Sequence, residues 1–426
     1  MANPLVSIIK SKDLRTRIGY VLLMLVLFRV IAHITLPGID LDNLRNFLGS
    51  NQIFGLLNLF SGGALDNFSM VALGVGPYIT AAIIMQMLVY VVPYLERQQK
   101  EEGEAGRKRI NQITRWMSLP LAVIQAYGLI IILERSGAGV LSPTFGAFEI
   151  TAMIIAMTGG SVFLMWLGEL ITERGVGNGV SLLIFAGIVA ALPSSLRQTI
   201  SAFDSSQVLE ILAFAVIAIL TVAGIVFITE GQRKIPVTYA RRSRAAGGGG
   251  SESVLPLRVN QAGVIPIIFA ISIMIFPSVI ANFFIGSDTA WVADTARYVN
   301  ELFANDLFYA VLYFALVVAF TYFYVGFTFD PKQISENLQR QGGFIPGVRP
   351  GTETDSYLKR ISSRITLTGA LFLGVVAILP NIMEQFVSSQ SLQIGGTGIL
   401  IVVSVVIETV RQIEAQLVMR DYESFY

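Results

Sequence analysis

The sequence predicts an all-α membrane protein, and three observations support this prediction. Apolar residues make up 54% of the 426 residues, and charged residues only 14%, whereas a soluble domain carries roughly 25% charged residues. The apolar residues gather into ten long runs, and a run of about 20 residues is what a helix needs to cross a bilayer. Two of these runs, far apart in the chain, share nearly the same letters, which indicates a duplicated architecture.

Each predicted transmembrane span is an apolar run that ends near charged or turn-forming residues. The fifth is the shortest of the ten. In chain order the spans are Ile18–Pro37, Val71–Pro93, Met117–Leu133, Ile150–Ile171, Gly179–Leu192, Val208–Thr229, Ala262–Phe284, Leu307–Phe329, Ile365–Met383 and Gly398–Val418.

Lysine and arginine are distributed very unequally between the two sides that these spans define. The side with both termini, here called the basic side, holds 25 of the 30 Lys and Arg residues, and the opposite side holds four. Because basic loops stay in the cytoplasm, we expect both termini to be cytoplasmic. The first apolar run has no small-residue cleavage site after it, so we expect a retained span and not a signal peptide.

The residues that most enzymes and metal sites need are scarce. The chain has no cysteine and a single histidine, His33, which excludes disulfides, thiolate metal sites and HExxH zinc sites. Phosphate-binding and nucleophile-elbow motifs are also missing, so we expect no enzyme, no catalytic residue, no cofactor and no metal. The ionisable residues Glu169, Glu408 and Arg29 form no obvious pair at the bilayer midplane, which disfavours an ion-coupled transporter. We expect Arg29 to cap a helix or to extend to the membrane surface.

The two similar runs each place a glycine three residues before a proline. The first reads GVGPYI, from Gly74 to Ile79, and the second reads GVIPII, from Gly263 to Ile268. Proline removes a helical N–H, and lipid cannot satisfy the freed backbone group. Such breaks are therefore expected next to protein or a water-filled path, although two ordinary proline kinks would explain the same letters.

Three long connections on the basic side are the remaining informative segments. They contain EEGEAGRKRINQITR (residues 101–115), EGQRKIPVTYARRSR (residues 230–244) and QGGFIPGVRPG (residues 341–351). Loops of this length in a compact bundle are usually functional, and their arginines suit anionic partners such as acidic proteins, nucleic acids or lipid head groups. The positive-inside rule explains the arginines but not the length of the loops.

These loops, the two glycine–proline runs and the segment LFSGGAL (residues 59–65) resemble the SecY family, the channel subunits of the bacterial Sec translocon. The resemblance runs from the first span to the last. It includes ITERGVGNGVSLLIFAGIVA (residues 171–190), LPLRVNQAGVIPIIFA (255–270), FIPGVRPG (344–351) and IGGTGILIVVSVV (394–406). It implies ten transmembrane helices in two inverted five-helix halves around a central pore. Residues 1–200 would form the N-terminal half, and residues 201–426, with long loops at about 230–260 and 330–364, the C-terminal half.

The resemblance also implies a function. A SecY-type channel moves unfolded secretory polypeptides across the bacterial cytoplasmic (inner) membrane and releases apolar segments sideways into the bilayer. The alternative is an inverted-repeat secondary transporter of a small solute. The implied partners are the SecE and SecG subunits, the SecA ATPase, the ribosome, signal sequences and nascent polypeptides, and membrane lipids.

Individual site residues follow from the family motifs, each by its position in this sequence. The pore ring of aliphatic side chains falls on Val75, Ile79, Val180, Ile184, Ile268, Ile271 and Ile401. The plug segment, residues 54–68, includes Phe54, Leu57, Phe60, Ser61, Gly62 and Gly63. The lateral gate falls on Gln86, Gln125 and Asn260, and the docking site for the motor or ribosome on Gly347, Arg349, Pro350, Arg241 and Arg242.

Simpler alternatives exist for each of these roles. The aliphatic residues could simply pack in the core, and the plug segment could be a re-entrant turn. The polar gate residues could form interhelical hydrogen bonds, and Arg349 could be a solvated loop residue. The loop with Arg241 and Arg242 also departs from the family pattern, since AAGGGGS (residues 245–251) follows these arginines.

Overall fold

The computed structural model describes residues 11–49, 58, 61–135, 139–141, 146–201, 208–239, 253–285, 289–384 and 395–423. Helices dominate these ranges, and three short strands form one small sheet. In chain order the elements are α1 (Lys12–Ala32), α2 (Leu41–Gly49), α3 (Gly76–Val91), α4 (Pro93–Glu101), α5 (Gly103–Arg135), α6 (Ala147–Arg174), α7 (Gly179–Ser201), α8 (Val208–Glu230), β1 (Gln232–Tyr239), β2 (Ser253–Arg258), α9 (Ile265–Phe284), α10 (Ala290–Ala304), α11 (Asp306–Thr328), α12 (Pro331–Arg340), β3 (Gly343–Phe344), α13 (Thr352–Glu384) and α14 (Gly395–Glu423).

Each of the ten predicted spans coincides with a helix, namely α1, α3, α5, α6, α7, α8, α9, α11, α13 and α14. Among the described residues, α5, α6, α11 and α13 are individually long and apolar enough to cross a membrane, and α3 with α4 reaches that length across a 102° bend. Helices α7 and α9 each contain a proline, Pro193 and Pro277. Large apolar side chains such as Val26, Ile219 and Phe227 are more than half exposed, as expected of surfaces that contact lipid. The all-α membrane fold is therefore confirmed.

The two glycine–proline motifs begin helices and do not interrupt them. Gly74 and Gly263 have φ values of 58° and 64°, a left-handed conformation that glycine adopts without strain. Pro77 and Pro266 then lie in the first turns of α3 and α9, where a helix needs no backbone N–H donor. The expectation of breaks inside two spans is wrong for this reason, and so is the alternative of two kinks. The two motifs still have the same geometry in the two parts of the chain: a left-handed glycine followed by a proline in the first turn of a helix.

The described parts of the long connections on the basic side contain helices and strands. Helix α4 and the first turns of α5 replace the expected loop between the second and third spans. Further along the chain, β1 pairs antiparallel with β2 on one side and with β3 on the other, in the order β2-β1-β3. We call β1, β2, β3, α12 and the first turns of α13 the loop module. Its own apolar cluster consists of Ile235, Val237, Leu257, Leu338, Ile345, Leu358 and Ile361.

A larger apolar cluster lies at the centre of the helical bundle and joins the two parts of the chain. Side chains of α1, α3, α6 and α7 contribute to it from the first part, and side chains of α9, α11, α13 and α14 contribute from the second. Helix α9 packs against α3 and α5, and α14 packs against α7 and α8. The centre of the molecule is therefore a meeting point of helices that are distant in sequence.

Candidate functional site

The residues predicted to form the pore ring lie together in the central cluster. Six of the seven are buried members of it, and Val180 packs against it half-buried. They come from the start of α3 and from α7, α9 and α14. Ile79 and Ile268 occupy equivalent places, each two residues after the proline that begins its helix. Residues from four helices thus meet in one aliphatic group inside the central cluster, and such a group offers water and ions no polar partner.

The plug segment is described only in part. Phe54, Leu57 and Phe60 lie outside the described residues, whereas Ser61, Gly62 and Gly63 form a tight turn. The Ser61 hydroxyl donates to the Asn58 carbonyl oxygen at 2.9 Å and accepts the Leu65 N–H at 3.1 Å. Gly62 and Gly63 have φ values of 70° and 79°. The Ala64 side chain is buried in the same central cluster as the ring residues.

Two residues outside the predicted site hold the turn in place. Arg29 of α1, which is half-buried, donates from a guanidinium nitrogen to the Gly62 carbonyl oxygen at 2.9 Å. Gly62 directly follows the helical residue Ser61, so this contact fits the expectation that Arg29 caps a helix and not the alternative that it extends to the membrane surface. On the other side, the backbone of Gly62 touches Gly187 of α7, where a Cβ atom would lie only 2.0 Å from the Gly62 Cα. We call Arg29 and Gly187 the turn seat.

An acidic residue, Asp66, follows this turn three residues after Gly63. Its backbone N–H donates to the Asn58 side-chain oxygen at 3.3 Å. Burial raises the pKa of the Asp66 carboxyl, and a hydrogen bond with Asn58 and the charge of Arg45 offset part of that rise. Burial thus shifts the titration of this carboxyl toward its neutral form relative to an exposed aspartate.

The predicted gate residues lie on α3 (Gln86), on α5 (Gln125) and in the segment that precedes α9 (Asn260). The Gln86 side-chain oxygen, on α3, is buried without a hydrogen-bond partner among the described residues. Asn260 accepts the Gly263 N–H at 2.9 Å, while its amide nitrogen and both polar side-chain atoms of Gln261 are also buried and unpartnered in that part of the chain. Gln125, on α5, is half-buried and has its side-chain oxygen near Gly76. The alternative that Gln86 forms an interhelical hydrogen bond is therefore not supported for its side-chain oxygen among the described residues.

An aromatic contact that the sequence did not reveal crosses this seam further along the helices. The rings of Tyr90, on α3, and Phe323, on α11, meet edge to face with their centroids 5.7 Å apart. The contact joins the first part of the chain to the second. Among the described residues, this ring pair is a packing contact, and the Gln86 oxygen and the Asn260 amide nitrogen add no hydrogen bond to it.

The predicted docking loop is exposed and rigidly held. Gly347 and Gly351, with φ values of 82° and 99°, turn the chain on either side of Arg349. The Thr354 hydroxyl, on α13, donates to the Arg349 carbonyl oxygen at 2.8 Å, and the Ser335 hydroxyl, on α12, donates to the Gly351 carbonyl oxygen at 2.7 Å. The Arg349 side chain itself is exposed. The loop therefore presents a guanidinium from a braced backbone, whereas Arg241 and Arg242 lie outside the described residues.

Polar contacts also join helices near their basic ends. Glu169 on α6 forms an ion pair with Arg115 on α5 at 2.6 Å. Its charge is therefore balanced by an arginine, and it is not a free carboxylate that could bind a transported ion. Arg411 on α14 pairs with Glu230 on α8 at 2.8 Å. One residue further, the Gln412 side-chain oxygen accepts the Gly177 N–H at 2.9 Å. Helix α14 is thus tied to both parts of the chain at its basic end.

Comparisons with known proteins agree on one family. The SecY family model matches residues 69–410. The protein translocase subunit SecY of Halalkalibacterium halodurans is 43% identical, with 100% of each chain covered. The protein translocase subunit SecY of Mycobacterium bovis is 40% identical, again with 100% of each chain covered.

Solved structures show the same fold at much lower sequence identity. A protein-conducting channel matches with a TM-score of 0.67 and 21% identity, covering 95% of this chain and 93% of the other. Sec61 in the canine ribosome–channel complex from the endoplasmic reticulum matches with a TM-score of 0.60 and 19% identity, with the same coverage. The family match over most of the sequence and the identity over its whole length lead to one conclusion: the chain belongs to the SecY family.

Proposed function

We infer that the chain is the channel-forming subunit of a protein translocase, through which unfolded polypeptides cross a membrane. The observation that supports this most is the central apolar cluster, in which the predicted ring residues of four helices lie together; we propose that these residues form an aliphatic constriction and that the plug turn closes it. An unfolded chain carries every kind of side chain, so its path has to seal without binding tightly. Aliphatic side chains meet that requirement because they repel water in the closed state and offer a passing chain no strong contact.

A secondary transporter of a small solute is not supported. Such transporters coordinate ions or substrates with buried polar groups near the midplane. Glu169 is paired with Arg115, Arg29 binds a backbone carbonyl, and the cluster at the centre of the described bundle is apolar. We propose that the chain performs no chemical step of its own and that the energy for transport comes from a partner.

We further propose the roles and surroundings that the family suggests. The halves at residues 1–200 and 201–426 would move relative to each other, and the seam at Gln86, Gln125 and Asn260 would release apolar segments into lipid. SecE and SecG would support the bundle, and the SecA ATPase or the ribosome would dock on the basic side through Arg349. The bacterial cytoplasmic membrane, with both termini in the cytoplasm, is the location that the charge distribution favours.

The seal is tested by wetting the constriction. The double variant Ile268→Asn with Ile401→Asn places two amides in the central cluster, so we expect a large rise in the ion conductance of the resting channel in planar bilayers. The matched control is Ile155→Asn, because Ile155 is an exposed residue of α6 that no path would cross. A double variant that folds and conducts no more than this control would refute the proposed seal.

A further inference from the structure

The turn between α6 and α7, residues 175–178, has almost no free space around its backbone. A Cβ atom on Gly177 would lie 3.2 Å from the hydroxyl oxygen of Thr409 on α14. At Gly179, the first residue of α7, a Cβ atom would overlap the carbonyl oxygen of Gly168 on α6. The start of α7 is therefore held by close contacts with both α6 and α14.

Two adjacent residues of α14 bind this turn and the end of α8. The Gln412 side-chain oxygen accepts the Gly177 N–H at 2.9 Å. Arg411 donates to the Thr229 carbonyl oxygen at 2.6 Å and pairs with Glu230 at 2.8 Å, both in the last turn of α8. A guanidinium in this place satisfies a carbonyl group that the helix end leaves without an intrahelical partner, and it opposes the negative end of the helix dipole. We call Arg411 and Gln412 the α14 clasp.

Helices α7 and α14 meet at a second place, on the far side of the ring residues. A Cβ atom on Gly398 of α14 would lie 3.2 Å from a methyl carbon of Ile188 on α7, so the two helices approach closely there. Between this contact and the clasp, the helices run antiparallel over roughly 16–21 Å, at 1.5 Å per residue. The ring residues that lie on this stretch are Val180, Ile184 and Ile401.

The contacts at the seam are of a different kind. The Gln86 side-chain oxygen and the Asn260 amide nitrogen are buried without a hydrogen-bond partner among the described residues. The rings of Tyr90 and Phe323 meet there through packing. Hydrogen bonds and close backbone packing thus join α7 to α14, whereas these polar groups of the seam make no bond across it. Segments with fewer stabilising contacts are the ones that open first.

We propose that the α14 clasp positions α7 and α14 as one unit, and that the constriction opens by movement of α3 and α9 away from this unit. The ring residues on α7 and α14 then form a fixed wall, and those on α3 and α9 form the movable one. This mode of opening rests on the proposed function, because it takes the central aliphatic group as the path of a polypeptide. Gln412 is a positioning residue, which acts on this path through the turn that precedes Val180.

The positioning role is tested on the resting full-length protein in vesicles. The chain has no native cysteine, so spin labels on cysteines placed at Leu192 of α7 and Val406 of α14, both exposed, report the distance between these helices by double electron–electron resonance. Gln412→Leu leaves the Gly177 N–H unpaired and should shift or broaden the distance distribution. Gln412→Glu keeps an acceptor oxygen and should preserve it, as should Gln416→Leu, which makes the same replacement one turn later on α14. Equal distributions in Gln412→Leu and Gln412→Glu would overturn the proposal.

The mode of opening is tested with a secretory polypeptide arrested in transit. A second label pair joins Val406 to Val91, the exposed last residue of α3. On arrest, we expect the Leu192–Val406 distance to change by less than about 1 Å and the Val91–Val406 distance by more than about 2 Å, as in complexes that rearrange on binding. Equal changes of the two distances, including no change in either, would overturn the proposal.

The two experiments separate this proposal from the proposed function. The arrest experiment uses no substitution in the α14 clasp, so it is informative even if Gln412→Leu fails to fold. If no polypeptide becomes protected inside vesicles that contain the unaltered protein, the proposed function fails. The resting distances still decide in that case whether Gln412 positions α7 against α14.

Discussion

Replacing Gly187 by alanine tests whether the plug turn is held closed by contact with α7. Alanine in a helix is usually more stable than glycine by roughly 0.5–1 kcal/mol, so helix stability alone predicts a harmless or stabilising change. The structure predicts the opposite for the closed channel. The added Cβ would lie 2.0 Å from the Gly62 Cα, so the turn must move by about 1.4 Å to reach an ordinary contact of 3.4 Å.

A movement of this size is enough to break the 2.9 Å hydrogen bond from Arg29 to the Gly62 carbonyl. Hydrogen bonds with a charged partner contribute about 1.5–3 kcal/mol, which corresponds to a roughly 10- to 150-fold loss in the ratio of closed to open channels. The assay is the leak of a trapped dye or ion from vesicles with reconstituted channel and no substrate. We expect Gly187→Ala to increase it by a factor in this range.

The matched control is Gly159→Ala, since Gly159 lies on α6 with nothing within 4 Å of its Cβ position. The variant Arg29→Met removes the same hydrogen bond without a clash, and combined with Gly187→Ala it should add little because both changes act on one contact. If Gly187→Ala folds and leaks no more than Gly159→Ala, the reasoning about the turn seat is refuted.

Three further predictions concern the docking loop and Asp66. Arg349→Glu should abolish partner-driven transport in vesicles and Arg349→Lys should restore only part, because lysine lacks the planar fork of donors; equal activity of Arg349→Glu and of the exposed-residue control Arg340→Glu would contradict this. Thr354→Val should reduce the same transport by roughly tenfold through loss of one hydrogen bond, with Thr354→Ser near normal, and an unchanged rate would mean that the loop needs no brace. Since burial raises the pKa of Asp66, the closed state is most stable below the ordinary carboxyl pKa and loses stability as pH rises through the raised value. The resting leak should therefore increase with pH over that interval and become independent of pH in Asp66→Asn, and a similar slope in both proteins would exclude Asp66 as the cause.

The parts of the fold that the sequence predicts are those with a local pattern. Apolar runs located ten helices, and the repeated glycine–proline motif located Ile79 and Ile268 at equivalent positions. The same motif was misread as a break, because a proline inside an apolar run looks identical whether it kinks a helix or begins one. The sheet of the loop module is hard to predict from the sequence for a related reason. Pro236 and Pro256 lie within β1 and β2, and prolines normally argue against strands.

The residues that hold the site together were not predictable in this way. Arg29 and Gly62 are 33 residues apart in the sequence and form a hydrogen bond only in the folded chain. Gly187 matters because it has no side chain, and neither composition nor periodicity indicates which glycine has this role. Nothing in the sequence distinguishes Ser335 and Thr354 from other hydroxyl residues, but in the fold their hydroxyls donate hydrogen bonds to the backbone of the Arg349 loop. The position of Gly187 in the middle of an apolar span was the one available indication of its role. Glycine destabilises a helix, so its presence there suggests a close packing contact.

The central claim is that a polypeptide passes through the aliphatic constriction, and crosslinking to a chain arrested in transit tests it most directly. A photoreactive amino acid is placed in turn at Ile79, Ile184, Ile268 and Ile401, with Ile155 as the lipid-facing control. A secretory polypeptide with a folded C-terminal block is then driven into reconstituted vesicles by the motor. The account predicts crosslinks to the arrested chain from all four ring positions and none from Ile155. Arrested chains that crosslink to none of the four, although they are protected inside the vesicles, would contradict it.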